Sequence, residues 1–389
     1  MKFVFFANTD WYLYNFRLST ALRLKADGHE VVMLSPPGTF GARFAEHGCR
    51  WIPLTMDRAS LNPLREVVTL YRVVRVLRRE RPDLLHNFTV KCAIYGALAG
   101  RVARVAAIVN AVAGLGFVFT SETAKARMLR PLVKLLLHAT LDSKRSLLIL
   151  QNPDDATAFV AAGLISQENI RVIRSSGVNT TRFQPRQPHH PHERLRVLLA
   201  ARLLREKGVQ EFVDAAALLR KQGRDIEFLL AGTPDPGNPH SISPEQVQAW
   251  ADDGVVRWLG HVDDMAGLLT TVHVMALPSY YREGVPKSLI EGAACGLALI
   301  TTDMPGCREV VTRDGVDGLR VEPRNAQALA ACIAKLDDNR ELLSRLGDRA
   351  RQRALKDFDE RLVIQRTVDV YTELLHPLDG TAAALRPSP

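Results

Sequence analysis

The chain has 389 residues, 47% hydrophobic and 24% charged, an ordinary globular composition that excludes disordered, collagen-like and disulfide-scaffold proteins. That length exceeds what one hydrophobic core organises, so two domains of roughly 150–200 residues are expected. Lys and Arg number 51 against 42 Asp and Glu, net +9, and the excess is one-sided. Residues 1–190 carry 26 basic and 13 acidic side chains, net +13, whereas residues 191–389 carry 25 and 29, net −4. Within 58–145 the count is 16 against 5. Such a surface implies an anionic partner: nucleic acid, phospholipid headgroups or a phosphorylated substrate. The five cysteines (Cys49, Cys92, Cys295, Cys307 and Cys332) form no C-x-x-C pair. Their scatter argues against a zinc site or a disulfide framework and suits a reducing cytosol. The N-terminal apolar run turns polar after six residues, too soon for a signal-peptide core.

Residues 1–7 form a short apolar run, followed by a polar loop and a helical pattern to Asp27. Gly28 and His29 then lead into a second run at 31–34, the opening beat of a parallel α/β sheet. It recurs with a long helix at 64–79 and apolar runs at 84–85, 106–109, 147–150 and 172–173. The most apolar window, 102–119, is interrupted by Arg104, Asn110 and two glycines and reads as strand and loop, not as a membrane span. The proline-rich stretch 184–194 breaks every period and is read as a linker. A second series of strand-like runs follows at 197–200, 227–231, 255–259, 274–277 and 298–301. The expected architecture is α/β with two doubly wound Rossmann-like domains, 1–183 and 195–358, and ligands at the carboxyl ends of the strands. A last helix spans 359–376, leaving 377–389 as a tail.

Two segments carry chemistry. Residues 278–296 (PSYYREGVPKSLIEGAACG) offer a strand end, a Gly/Pro loop and a helix from about Lys287, with Glu283 and Glu291 eight residues apart. The amides and dipole of that helix start suit a phosphate. The two glutamates would not face each other as an acid/base pair; one suits a sugar hydroxyl and the other a ribose. As a spacing alone they read equally as a helix cap and a surface residue. Residues 197–208 (VLLAARLLREKG) set Arg202 and Lys207 just beyond a strand end, a bidentate fork and a mobile point charge suited to a diphosphate. Taken alone, that pair reads as solvated loop cations.

The combination is more specific. An R-x4-K-G turn followed about 75 residues later by E-G-V-P-K-S-L-I-E resembles the family 4 glycosyltransferases, whose fold is GT-B. Glu283-x7-Glu291 is similar to that family's E-x7-E motif, and Arg202 with Lys207 to its diphosphate clamp. The resemblance continues through 255–264, 301–310 and 314–321, and more loosely through 83–91 and 173–179. It implies two domains facing a cleft, with the helix 359–376 returning to the first domain and Glu283, Arg202 and Lys207 catalytic. The implied nucleotide-sugar site comprises Arg202, Lys207, Gly260, His261, Val262, Glu283, Gly284, Val285, Pro286, Lys287, Ser288, Leu289 and Glu291. Two departures stand out. The first loop reads ANTDWYL where many relatives carry Gly-Gly, and AVAG stands at 111–114 where many carry T-x-H-G. No family histidine carries over there, and His86, at another strand end, is the candidate cleft residue.

The implied activity is a retaining, metal-independent sugar transfer from a nucleotide diphosphate, UDP being the favoured donor and an N-acetylhexosamine one candidate sugar. The implied acceptor is a polyprenyl-diphosphate-linked or other glycan, as in bacterial O-antigen, capsule and lipid-linked glycan synthesis. No cofactor and no metal are expected. Asp357 and Asp359 read as a helix cap, and His189, His190 and His192 lack a carboxylate or Cys framework. The helices at 64–79 and 124–141 mix arginines with valines and leucines. Such helices read either as core-packed with a solvated face or as lying on an anionic membrane. The lipid-phosphate acceptors that the resemblance implies favour membrane contact by Arg75, Arg78, Arg79 and Arg130, making the protein cytoplasmic and peripheral on the inner face. The rivals are a nucleotide-sugar epimerase on a related fold and a nucleic-acid-binding protein. The latter lacks a helix-turn-helix, zinc finger or aromatic-basic motif, so no nucleic acid is expected.

Overall fold

Short apolar runs, each followed by a helix, build two parallel sheets. The computed structural model describes residues 1–57, 62–112, 124–143, 145–185 and 193–376, without the side chains of 63, 124–127, 129, 130 and 132. The first sheet comprises β1 (Lys2–Phe6), β2 (Glu30–Ser35), β3 (Arg50–Pro53), β4 (Leu84–Phe88), β5 (Ala107–Val112), β6 (Ser146–Leu150) and β7 (Ile170–Val172), in the order 3-2-1-4-5-6-7. The second comprises β8 (Leu195–Ala200), β9 (Ile226–Ala231), β10 (Arg257–Gly260), β11 (Val274–Leu277), β12 (Ala298–Thr302) and β13 (Leu319–Val321), in the order 10-9-8-11-12-13. Every pairing within these sheets is parallel. β4, β5, β6, β11 and β12 are buried at every position, which is why, buried polar residues such as His86, Asn87 and Asn110 apart, they read as apolar runs and not as alternation. The α/β doubly wound architecture is as expected. β3 and β13 are additional strands at sheet edges, too short to signal themselves.

Chain contacts divide the protein into two compact units, Met1–Ser176 with Val363–Pro389, and Gly177–Leu362. The first has a core in which Phe3, Phe5 and Phe88 pack with Val363, Val370 and Tyr371 of the helix Glu360–Leu375. In its first loop, where the sequence lacks a Gly-Gly pair, Asp10 organises the backbone. Its buried carboxylate accepts the amides of Phe40 at 2.7 Å and Gly41 at 2.8 Å.

The chain enters the second unit at Gly177, ahead of the 184–194 stretch, of which 186–192 lie outside the described residues, as do His189, His190, His192 and the 377–389 tail. The reason is hydrogen bonding. The Val178 amide donates to Phe358 O at 2.8 Å, and the Glu360 amide donates to Val178 O at 3.0 Å. A side chain at Gly177 would meet the Glu360 Cα at 2.5 Å, so this pairing needs a glycine there. Arg351 then donates to Phe183 O at 2.8 Å, tying the following residues to the same unit.

Asp359 is the anchor of this pairing. Its buried carboxylate accepts the Thr180 hydroxyl at 2.5 Å, the Arg361 amide at 2.9 Å and the Arg361 guanidinium at 2.7 Å. The Arg361 hydrogen bonds lower its pKa to about 2. A depressed carboxylate stabilises the fold above its unfolded pKa and loses that contribution as the pH falls through the folded value. Asp359→Asn is therefore expected to cost about 2 kcal/mol near neutrality, a difference that shrinks between about pH 4 and pH 2. Urea denaturation of both proteins across that range checks it.

Candidate active site

In the second sheet the strand order reverses between β8 and β11, the position where crossovers leave to opposite sides and open a crevice at the carboxyl ends. The loops that follow these two strands hold the sequence motifs. After β8 the chain makes a 3-10 turn, Arg205–Lys207, then Gly208 at φ +76°, and enters the helix Val209–Lys221. A Cβ on Gly208 would lie 2.3 Å from Pro278 O, so the two loops meet backbone to backbone. Glu206 O accepts the Ser279 hydroxyl and the Tyr280 amide, each at 3.0 Å. Ser279 O in turn accepts the Thr302 hydroxyl from the end of β12. Behind this strut, Gly306 at φ +84° leans on the glutamate loop; a Cβ there would lie 1.6 Å from Gly284 O.

This scaffold brings Lys207 onto Glu283, Nζ to Oε2 at 2.5 Å, with the side chains 14% and 10% exposed. Arg202 is not joined to that pair. It stands in the open and donates to Asp235 Oδ2 at 2.7 Å, a partner the motif reading missed because Asp235 lies in an irregular loop without periodic signal. The helix begins at Lys287 as expected and runs to Ala294, with Pro286 at its N-cap and no side chain capping it. Val285 and Leu289 bury their side chains in the core, and thus only their backbone can meet a ligand. Glu291 sits one turn in and is partly buried; desolvation pushes its carboxyl up to about 7 against the pull of Lys287 and Arg182.

The neighbouring strand end is laced to the same crevice. Gly232 donates to Gly260 O at 2.7 Å, and Trp258 Nε1 donates to Gly232 O at 2.9 Å. Gly260 turns at φ +63°, His261 is exposed with Nε2 3.4 Å from Asp263, and Val262 packs on the core. Buried Cys307, behind the glutamate loop, has its thiol pushed up to about 12 by desolvation and by Glu283, so it is not a thiolate at neutral pH.

The family described as "Glycosyl transferases group 1" matches residues 194–339, and that described as "Glycosyl transferase 4-like" matches residues 2–150. The chain belongs to the family 4 glycosyltransferases. It is similar to an N,N'-diacetylbacillosaminyl-diphospho-undecaprenol alpha-1,3-N-acetylgalactosaminyltransferase of Campylobacter jejuni, 28% identical over 96% of this chain and 99% of the relative. The capsular polysaccharide biosynthesis glycosyltransferase CapM of Staphylococcus aureus is 21% identical over 92% and 93%. Among solved structures, HepE of Anabaena in complex with UDP-glucose superposes with a TM-score of 0.78 at 19% identity, over 96% of this chain and 100% of that one. The fold of this glycosyltransferase is GT-B.

The remaining candidates fall elsewhere in the glycosyltransferase. His86 is not open at a strand end: it is the central residue of β4, 1% exposed, because Tyr371 covers it with Nδ1 to hydroxyl at 2.7 Å. Arg75, Arg78 and Arg79 are exposed on the helix Pro63–Glu80. Arg130 lies in the helix Ala124–Leu141, its side chain outside the described residues. Among the described residues no three His, Cys, Asp or Glu side chains cluster as a metal site, and no helix is long and apolar enough to cross a membrane. Because desolvation raises the Glu291 pKa, ionising it in the fold is penalised progressively as the pH rises from about 4.5 through 7. Glu291→Gln is expected to be more stable than the wild type by up to about 3 kcal/mol at pH 8 and to lose that advantage near pH 4.5. Paired urea melts at the two pH values measure this; an advantage independent of pH would remove desolvation as its cause.

Proposed function

We propose that this glycosyltransferase moves a sugar, an N-acetylhexosamine being the leading candidate, from a UDP donor to a polyprenyl-diphosphate-linked or other glycan acceptor, with retention and without a metal. The observation that carries the reading is the contact of Lys207 with Glu283 at the strand-order reversal, beside an uncapped helix start. The Campylobacter relative is named for an N-acetylgalactosamine transfer onto an undecaprenol-diphosphate-linked sugar, and HepE was solved with UDP-glucose. Lys207, Arg202 and the amides of 287–289 would meet the donor diphosphate. As the sugar C1–O bond breaks, charge gathers on the departing β-phosphate, and fixed cations aimed there lower the barrier. Glu283 positions the donor sugar, Glu291 the ribose, and the backbone of 260–262 the base. The acceptor hydroxyl attacks C1 on the face that UDP leaves and passes its proton to the departing phosphate oxygen.

Lys207 and Arg202 supply the charge that a divalent ion supplies in other transferases, so turnover is expected in EDTA. The test is a screen of UDP-, GDP- and ADP-sugars against lipid-linked acceptors in EDTA, with products identified by mass spectrometry. Glu283→Ala is expected to lower kcat about a hundredfold or more while UDP affinity stays within a few-fold. Rescue by Mg²⁺ after loss in EDTA, or normal transfer by Glu283→Ala, would overturn the assigned roles.

The same reading includes docking on the inner face of the cytoplasmic membrane. The helix Pro63–Glu80 exposes Leu64, Val67, Val68 and Tyr71, spaced i, i+3, i+4 and i+7, with exposed Arg65, Arg72, Arg75, Arg78 and Arg79 on the same helix. An apolar stripe among arginines suits an anionic lipid surface, and each arginine contributes about 1 kcal/mol there. Co-sedimentation with phosphatidylglycerol liposomes is expected to fall with salt and to drop in the Arg75→Ser, Arg78→Ser, Arg79→Ser triple variant. Equal binding to neutral liposomes would remove the electrostatic account.

A further inference from the structure

The first unit holds a buried cation without a counter-ion. Arg17, on the helix Asp10–Ala26, is 7% exposed. One terminal nitrogen donates to the Tyr12 hydroxyl at 2.9 Å, and the guanidinium lies 4.5 Å from the centre of the Phe88 ring. Among the described residues no carboxylate pairs with it, and its Nε has no hydrogen-bond partner. His86 is a second buried group with an unpartnered nitrogen. Its Nδ1 meets the Tyr371 hydroxyl at 2.7 Å, while its buried Nε2 has no partner. Burial, reinforced by the Arg17 charge, holds its pKa well below 6.5, so the ring is neutral at pH 7. Where the Tyr371 hydroxyl donates to Nδ1, the ring proton sits on Nε2.

Both groups line one small hollow with Tyr12, Gln151, Ser175 and Thr367, at the carboxyl ends of β5, β6 and β7. Ser175 is buried there at φ +65°, a conformation that costs energy in a non-glycine residue. An aromatic face compensates a guanidinium only in part, and buried donors without acceptors are rare in folded proteins. Arg17 Nε, and His86 Nε2 in that tautomer, are two such donors on one hollow, and the unpaired guanidinium favours an acceptor that carries negative charge.

We propose that this hollow is an oxyanion site, and that the group it takes is a phosphoryl or carboxylate group of the acceptor. The Arg17 fork and His86 Nε2–H would donate to its oxygens. As it stands the hollow offers about 10 Å³ of free volume, room for about one oxygen of such a group and not for a nucleotide, and the proposed donor diphosphate site lies in the other unit. Assigning the anion to the acceptor rests on the proposed transfer reaction; the binding of an oxyanion does not.

The experiment uses the full chain saturated with UDP, so that Arg202 and Lys207 are occupied. It is titrated calorimetrically with farnesyl diphosphate, glucuronate, inorganic phosphate and, as the neutral control, glucose, while the His86 ring signals are followed by NMR. At least one of the first two anions is expected to bind and to shift those signals, with affinity falling at least about tenfold in Arg17→Met. Farnesyl diphosphate alone would assign a lipid-carrier phosphate and glucuronate alone an acidic sugar; binding of inorganic phosphate without either would overturn the acceptor assignment. Absence of any anion binding, or binding indifferent to Arg17→Met, would overturn the site itself. Should Arg17→Met fail to fold by circular dichroism, His86→Phe removes the other donor and is read the same way. Failure of the wild type to bind UDP would count against the transfer reading, whereas the Arg17 dependence of anion binding would still be measured.

Discussion

Burial of parallel sheets on both faces is the constraint from which the rest follows. Strands with no solvated face carry little polar chemistry along their length, His86 of β4 apart, so it concentrates in the loops at their ends. Where strand order reverses, successive crossovers cover opposite faces and the intervening loops part. In the second unit that geometry brings together two loops separated by 76 residues in sequence. Their contact depends on the absence of side chains: a Cβ at Gly208 or Gly306 would collide with a carbonyl oxygen of the facing loop. The ion pair of Lys207 with Glu283 is thus a consequence of backbone approach, not its cause.

The two cations of that site are held differently. Lys207 and Glu283 are both largely buried, and removing either partner would strand the other's charge, which typically costs several kcal/mol. Arg202 is 61% exposed, and a pair so open to solvent is worth little. Exchanging Asp235 for another anion would therefore cost Arg202 little, whereas Lys207 is held in place by Glu283.

Legibility in the sequence followed burial. Strands buried on both faces were readable as apolar runs; β3, with its end residues exposed, and three-residue β13 were not, since an edge strand has no continuous run to display. The helix start at Lys287 was readable from the proline before it. The change of unit at Gly177 was not, because it is set by pairing between Val178 and Asp359, far apart in the chain, while a proline-rich stretch nearby offered a stronger local signal. His86 looked like a strand-end residue because its cover, Tyr371, comes from a helix 285 residues later. Motif residues Glu283, Lys207 and Glu291 could be named through the family resemblance and not from spacing alone, but the pairing that leaves Arg202 with Asp235 could not.

The basic excess of the first half resolves into two populations that obey different physics. The arginines of the helix Pro63–Glu80 stand in water, where salt screens them beyond about 8–10 Å, so they act on encounter with a charged surface and weaken as ionic strength rises. Arg17 is enclosed, with Phe88 and Tyr12 against its guanidinium, so salt screens it far less and only a group entering the hollow can meet it. A net charge counted along the chain adds these together, although one governs approach to a surface and the other the chemistry of whatever enters the hollow. The second unit balances buried Lys207 internally against Glu283, whereas the first leaves Arg17 without a carboxylate partner among the described residues. Two sheets wound alike therefore differ in what they ask of a ligand: one must compete with a carboxylate already in place, the other is short of a negative charge.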